Sequence, residues 1–265
     1  MQPEKRDTIY AFSGGLLGPS QQARRIRRIL ALSGRALRFG WPNPDDKIAV
    51  WGHAKRAARG AWVSARSGAG LIRLEDAFLR SLFPGRAGEP TLGLLLDHSG
   101  IHYNPAQPSD LETLLASHRL DDPDLLARAR LGIARMRAGR LTKYAAFAPD
   151  LPPPAPGYVL VIDQTRGDAS LRHGGMSGPL ASDIFQTMLA RACADFPESP
   201  IVIRTHPETQ AGHRAGHYSA ADAKAGRITL LHDPVSSWDL LEGAVAVYTV
   251  CSQLGFEAIL AGHRP

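Results

Sequence analysis

The chain is poor in cysteine, poor in aromatic residues and without any long apolar run, and each shortage excludes something. Its 265 residues include only Cys193 and Cys251. No disulfide framework or cysteine-based metal site can be read from two thiols, and such usage suits a reducing compartment. No stretch approaches the ~20 apolar residues that a membrane-spanning helix needs. The charged start, Met1 to Asp7, is followed by no apolar signal-peptide core, so a cytoplasmic protein is expected. Aromatic residues make up 7% of the chain, and none interleaves the main basic run, which argues against nucleic acid as a partner. His213, His217 and His232 are scattered, so no metal cluster is expected and the three are read as surface or packing residues.

What is present is an ordinary globular balance, 44% hydrophobic and 21% charged, in a chain long enough for one large α/β domain or two smaller ones. Charge is uneven. Residues 1–150 carry 23 Lys/Arg against 14 Asp/Glu, whereas residues 151–265 carry 8 against 11. The cluster Arg24-Arg25-Ile26-Arg27-Arg28, continuing through Arg35 and Arg38, reads as one basic amphipathic helix. Such a helix can lie on anionic lipid or be a solvated face, and peripheral placement on the inner face of the cytoplasmic membrane is the associated expectation.

Periodicity gives alternating strands and helices. Strands are expected at 8–12, 47–51, 70–74 and 92–96. Ser109 and Glu112 form a capping-box pattern ahead of a helix over 110–116, and a second helix is expected over 121–140. The four prolines within 152–156 read as a semi-rigid connector between an N-terminal domain, 1–150, and a C-terminal domain, 151–265. Beyond it, Tyr158-Val159-Leu160-Val161-Ile162 is a continuous apolar run, as expected of a strand buried on both faces. Further strands are expected at 200–204, 228–231 and 244–248, with helices at 178–196 and 236–242. This order implies doubly wound sheets.

Chemistry-bearing residues gather at the predicted strand ends. Arg73-Leu74-Glu75-Asp76-Ala77-Phe78-Leu79-Arg80-Ser81 places two carboxylates between two arginines. Neighbouring cations set the protonation of such acids, which suits acid/base or phosphate chemistry, although paired charges at a helix start would look the same. Asp163-Gln164 leads to Asp168 and Ser170; Arg204-Thr205-His206-Pro207-Glu208 follows the next strand, with Gly212-His213-Arg214 beyond. The His206 ring is placed to donate to a phosphate oxygen or to shuttle a proton near neutral pH. Ser252 is a candidate cap for a helix whose N-terminus can receive a nucleotide phosphate, and Glu257 is placed to accept from ribose hydroxyls. Asp168 is assigned as an essential carboxylate, with a turn residue capping the next helix as the lesser alternative.

In order, R-x-E-D-x-F-x-R-S at residues 73–81, then Leu96-Asp97-His98-Ser99-Gly100-Ile101-His102-Tyr103-Asn104, then Pro108-Ser109-Asp110-Leu111-Glu112, resemble the capsule-polysaccharide β-Kdo glycosyltransferases, the KpsC/LpsZ group. The segment 163–170 resembles that family's G-Q-x-x-x-D-x-S, with Asp163 where glycine is usual. Residues 204–208 resemble its K-P-H-P-D, with arginine for lysine and threonine for proline. Residues 249–262 resemble T-S-x-x-G-F-E-A-L-x-x-G. Ala77 stands where the pattern has glycine, so easy access to positive φ is expected to be lost there.

The resemblance implies a GT-B-like α/β fold: two Rossmann-like doubly wound domains facing a cleft, acceptor side first and CMP-sugar side second. The second domain is expected to be incomplete at Pro265. It implies transfer of Kdo from CMP-Kdo to a lipid-linked Kdo acceptor in capsule linker synthesis, with retention and no cofactor beyond the donor substrate. The site assignments it implies are Asp168, Glu75 and Asp76 as catalytic, with Asp168 as nucleophile. Arg204, His206, Ser252, Glu257 and Gln164 would hold the nucleotide sugar. Arg73, Arg80 and Asp97 would contact acceptor or sugar, and capsule assembly proteins are expected partners. A polysialyltransferase-like enzyme using another CMP-sugar, and a non-catalytic module of the capsule machinery, are the alternatives.

Overall fold

In a computed structural model, residues 7–176, 179–223 and 226–265 are described. The elements run β1 Asp7–Ala11, α1 Gly14–Leu17, α2 Gln21–Leu32, β2 Arg35–Arg38, β3 Lys47–Trp51, α3 Ala57–Ser67, β4 Gly70–Asp76, β5 Leu94–Asp97, α4 Asp110–Ser117 and α5 Pro123–Ala138. They continue with β6 Tyr158–Ile162, α6 Ala169–His173, α7 Pro179–Asp195, β7 Ile201–Arg204, α8 Pro207–Gln210, β8 Ile228–Leu231, α9 Ser237–Gly243, β9 Ala244–Tyr248 and α10 Gln253–Ala261. The chain divides into two compact units. Unit 1 comprises 1–81 and 88–120, and unit 2 comprises 82–87 and 121–265.

In unit 1 the strand order is β2-β1-β3-β4-β5, with β5 alone antiparallel to its neighbour. Helices cover both faces. Ile26 and Leu30 of α2 pack with Ile9, Ala49 and Leu74, while Val63 of α3 packs with Ile48 and Val50 on the other side. The helix α2 forms because Ala23, Ile26 and Leu30 recur every three to four residues on the buried face, and the Ser20 hydroxyl accepts from Ala23 N at 3.2 Å. It stops sooner than the sequence suggests. Gly34 takes φ +77°, and Arg35 to Arg38 then pair with β1 as an edge strand. The basic face is therefore the helix alone, and Arg35 and Arg38 lie outside it.

In unit 2 the order is β8-β7-β6-β9, all parallel. Every residue of β6 is buried, and its alternation feeds two cores. Tyr158, Leu160 and Ile162 meet Trp238, Leu240 and Leu241, while Val159 and Val161 meet Phe185 and Leu189. Each such side chain contributes about 1.5–3 kcal/mol by leaving water.

The division between units differs from the expected boundary after residue 150. Met136 of α5 packs against the Tyr158 core, Trp238 Nε1 donates to Leu141 O at 2.8 Å, and Ala148 N donates to Pro234 O at 2.8 Å. These contacts bind 121–150 to unit 2, so the proline run lies inside that unit. The helix expected from Gly178 begins at Pro179; Gly178 lies outside the described residues. The helix α3 lies outside every expected helix. Among the described residues, no helix is long and apolar enough to cross a membrane.

Candidate functional site

In unit 1 the two carboxylates lie at the end of a strand, since β4 runs through Asp76 and no helix starts there. Successive strand residues face opposite ways, so Glu75 and Asp76 part company. The Tyr103 hydroxyl donates to Glu75 Oε2 at 3.3 Å and accepts from His53 N at 3.2 Å. Burial and the Glu75 charge push the Tyr103 hydroxyl up to about 12, so it remains a proton donor at neutral pH. Asn104 Nδ2 lies 2.9 Å from His53 Nε2, and Arg73 donates to Gly52 O at 2.9 Å. Gly52 holds φ +42°, and a Cβ there would collide with the Tyr103 hydroxyl and the Glu75 carboxylate. Only glycine lets the chain pass so close.

The other sequence-predicted residues of unit 1 are engaged in holding it together. Arg80, 5% exposed, pairs with Asp76 at 2.8 Å and donates to Ser81 Oγ and Glu89 O. Asp76 Oδ1 is buried without a hydrogen-bond partner. Asp97, 2% exposed, accepts from the backbone N–H groups of Ser99, Gly100 and Asp110, and so ties the β5 loop to the start of α4. The geometry thus separates Glu75 and Arg73, which share a polar cluster with His53, Tyr103 and Asn104, from Arg80 and Asp97, which brace loops. Ala77 is not among the residues with positive φ; its N–H donates to Gly93 O at 3.2 Å, and Gly93 leaves the space that its methyl occupies.

In unit 2 the predicted residues stand at the C-terminal ends of β6, β7 and β9, where parallel sheets place ligands. Asp168 caps α6; its Oδ1 accepts from Ser170 N at 2.9 Å and Ser170 Oγ at 2.7 Å. Gln164, 4% exposed, accepts from Cys251 N at 3.1 Å and donates to Cys251 Sγ at 3.4 Å, joining the β6 loop to the loop before α10. Ser252 caps α10 by accepting from Leu254 N at 3.3 Å.

His206 accepts from Glu208 N at 3.1 Å through Nδ1, which leaves the proton on Nε2. Burial, with Lys143, Arg214 and Arg204 adding positive charge, lowers its pKa to about 4 despite the Asp168 carboxylate. The ring is therefore a neutral donor at physiological pH, which corrects the expected proton-shuttle role. Tyr144 packs edge-on to it at 5.9 Å.

Arg204 and Glu257 are used differently from the sequence expectation. Arg204, 7% exposed, donates to Asp233 O and to Val235 O, stapling the chain between β8 and α9; burial lowers its pKa to about 10. Glu257, 1% exposed, accepts from Thr142 Oγ1 at 2.6 Å and from Lys143 N at 3.3 Å, and burial raises its pKa. It anchors the segment that carries Lys143 and Tyr144 to His206. Sequence reasoning missed His53, Lys143 and Tyr144; no local pattern marks them, since their partners lie far along the chain.

Asp163, at the usual glycine position, is 2% exposed. Its Oδ1 accepts from Gln164 N and His217 N, while its Oδ2 is buried without a hydrogen-bond partner. A Cβ on Gly216 would collide with that oxygen. Burial raises its pKa to about 6. Because the folded value exceeds the ordinary 3.8, the folded state binds more protons between pH 4 and 6, and this group's stabilising effect is lost as pH rises through that window. The shift corresponds to about 3 kcal/mol. Asp163→Asn should therefore raise the melting temperature at pH 8 and leave it nearly unchanged at pH 4; equal effects at both pH values would show that the carboxylate charge is not the cost.

Among the described residues, no group of three or more His, Cys, Asp or Glu side chains is arranged to hold a metal ion.

The family model for capsule polysaccharide biosynthesis proteins matches residues 46–148 and 118–265. The capsule polysaccharide modification protein LipA of Neisseria meningitidis serogroup B is 33% identical over 224 residues, covering 82% of this chain and 31% of LipA. The lipopolysaccharide-processing protein LpsZ of Rhizobium meliloti is 33% identical over 216 residues, covering 79% of this chain and 48% of LpsZ. This chain thus spans about a third of the one relative and about half of the other. The β-Kdo 2,4 transferase KpsC of Thermosulfurimonas dismutans superposes with a TM-score of 0.80 at 28% identity, over 97% of this chain and 78% of that one.

Proposed function

The chain belongs to the capsule polysaccharide biosynthesis family of KpsC/LpsZ type, and from that premise we propose that it transfers Kdo from CMP-Kdo to a lipid-linked acceptor in capsule linker synthesis. Its two units are the two Rossmann-like halves of a GT-B-like transferase, with the nucleotide sugar on unit 2 and the acceptor served by unit 1. The observation that carries this reading is the anion-ready end of the second sheet. There a neutral His206 with its proton on Nε2, the Lys143 and Arg214 charges acting on that ring, and the capped start of α10 all favour a phosphate.

Asp168 then attacks the anomeric carbon of Kdo as a carboxylate. A bond forms to the sugar as the bond to the CMP phosphate breaks, and the electron pair leaves with CMP. In the second half-reaction the acceptor hydroxyl attacks that carbon, Asp168 departs as carboxylate, and Glu75 takes the hydroxyl proton. Two displacements retain the configuration. Tyr103, donating to Glu75, orients the base.

CMP should raise the melting temperature, since a ligand that binds the folded state stabilises it by mass action, about 2.7 kcal/mol at a hundred times Kd. His206→Ala should remove most of that rise. Because His206 is already neutral well above pH 4, CMP affinity should not increase as pH falls from 8 to 6. An undiminished shift in the variant, or tighter binding at pH 6, would reject the assignment.

The surface of α2 supports peripheral attachment to anionic lipid, with Arg24 and Arg28 exposed. Arg27 is different: it donates to Leu16 O and Gly18 O and holds the turn before the helix. The triple change of Arg24, Arg25 and Arg28 to Gln should weaken binding to phosphatidylglycerol vesicles by about two orders of magnitude, at about 1 kcal/mol per cation, with CMP binding unchanged. Equal vesicle binding by both forms removes this reading.

A further inference from the structure

The carboxylate assigned as nucleophile is held through one of its oxygens. Asp168 Oδ1 accepts from Ser170 N at 2.9 Å and from Ser170 Oγ at 2.7 Å. Behind Ser170 the contacts continue. Ser170 Oγ lies 3.2 Å from Cys251 Sγ, and Gln164 Nε2 donates to the same sulfur at 3.4 Å. Cys251 N donates to Gln164 Oε1 at 3.1 Å, which turns the amide so that its nitrogen meets the sulfur.

The end of this chain fixes the direction of every bond in it. A carboxylate has no proton to give, so the Ser170 hydroxyl hydrogen is spent on Asp168, and Ser170 Oγ accepts from the Cys251 thiol. The thiol's other acceptor, Gln164 Oε1, is farther away at 3.6 Å. Gln164, Cys251, Ser170 and Asp168 thus form a line of donors all pointing at the nucleophile, and bonds aligned in this way strengthen one another. The links come from the end of β6, the loop before α10 and the start of α6, so three parts of unit 2 meet at one carboxylate.

We infer that Ser170 is a positioning residue for the transfer, with Cys251 and Gln164 acting through it; the inference rests on Asp168 being the nucleophile. Held by Oδ1, the carboxylate attacks the anomeric carbon through Oδ2. That bond forms as the bond to the CMP phosphate breaks, and the electron pair leaves with CMP. Oδ1 becomes the carbonyl oxygen of the resulting ester and loses its charge. When the acceptor hydroxyl displaces the ester, the pair of the breaking bond returns to the carboxylate, and the charge that reaches Oδ1 meets two donors already in place. No proton moves along the line. Hydrogen bonds to a carboxylate make it a poorer nucleophile and a better leaving group, so loss of the hydroxyl slows departure more than attack. A capping role alone would instead cost stability and CMP response without altering the balance of the two half-reactions.

Ser170→Ala keeps the backbone donor and removes the hydroxyl. Turnover, followed as CMP release from CMP-Kdo with a lipid-linked Kdo acceptor, should fall about tenfold to a hundredfold, the worth of a hydrogen bond to a charged group. The KM for CMP-Kdo should fall with kcat, since the slowed step follows CMP departure. The CMP-induced melting shift should stay as in the wild type, and intact-mass measurement during turnover should show one Kdo on the variant. Ser170→Thr should restore kcat. Cys251→Ala should give the same signature at about threefold, and Cys251→Ser, whose hydroxyl can accept from Gln164 and donate to Ser170, should remove it. Wild-type kcat in Ser170→Ala, a raised KM in place of a lowered one, or a loss that Ser170→Thr does not restore would overturn the inference. Cys251 is exposed and caps no helix, so Cys251→Ala carries the same test if Ser170→Ala melts too early to assay, and wild-type kcat there overturns the inference too. Failure of the nucleophile reading looks different: Glu75→Gln then carries no Kdo adduct. With that adduct present and Ser170→Ala kinetics unaltered, only the positioning role falls.

Discussion

Asp168→Asn is expected to lose Kdo transfer by more than about a thousandfold while binding CMP as the wild type does. The substitution removes the attacking carboxylate but keeps its volume, and the amide oxygen can still accept from Ser170 N and Ser170 Oγ, so the turn into α6 should hold. Glu75→Gln should fail at the other step. Departure of CMP needs charge stabilisation more than a proton, so the sugar should still reach Asp168. Without a base for the incoming hydroxyl, the covalent Kdo adduct should accumulate. Intact-mass measurement after exposure to CMP-Kdo separates the two: one added Kdo on the Glu75 variant, none on the Asp168 variant. Transfer by Asp168→Asn, or an adduct on it, would reject the nucleophile assignment. No reaction by wild type or either variant would instead favour a non-catalytic module.

Glu257→Ala is expected to destabilise unit 2 by about 2–4 kcal/mol and to abolish the CMP-induced melting shift. Its carboxylate is buried and receives both the Thr142 hydroxyl and the Lys143 N–H, and truncation leaves those donors without partners. The segment they fix brings Lys143 and Tyr144 to His206, so loosening it disturbs the phosphate side of the site without touching a ligand. Glu257→Gln discriminates the roles. Its amide can serve Thr142 and Lys143 without a buried charge, so stability and CMP response should both stay near wild type. A Gln variant that melts normally but no longer responds to CMP would mean that the carboxylate contacts the nucleotide directly, against the anchoring role.

These two carboxylates show how unevenly function is written in a sequence. Asp168 follows a run in which every residue is buried, and its place at the end of a parallel strand was legible from Tyr158-Val159-Leu160-Val161-Ile162 alone. Glu257 sits in a motif that suggested a ribose contact, yet its partners lie more than a hundred residues back along the chain. Arg204 likewise looked poised for phosphate and instead staples Asp233 and Val235.

By itself the sequence determined the strand and helix alternation, the Ser109–Glu112 capping box, and the strand ends at which polar residues gather. These are local consequences of period and capping, because whether a segment alternates between water and core depends on its own side chains. The tertiary structure alone decided which polar residue faces a site and which is spent on bracing. It placed Tyr103 against Glu75 and His53 against Tyr103, committed Arg80 to Asp76 and Asp97 to the turn before α4, and moved 121–150 into the second unit. The physical reason is that a buried polar group must find partners wherever the fold brings them, and those partners come from chain too distant for any spacing to record.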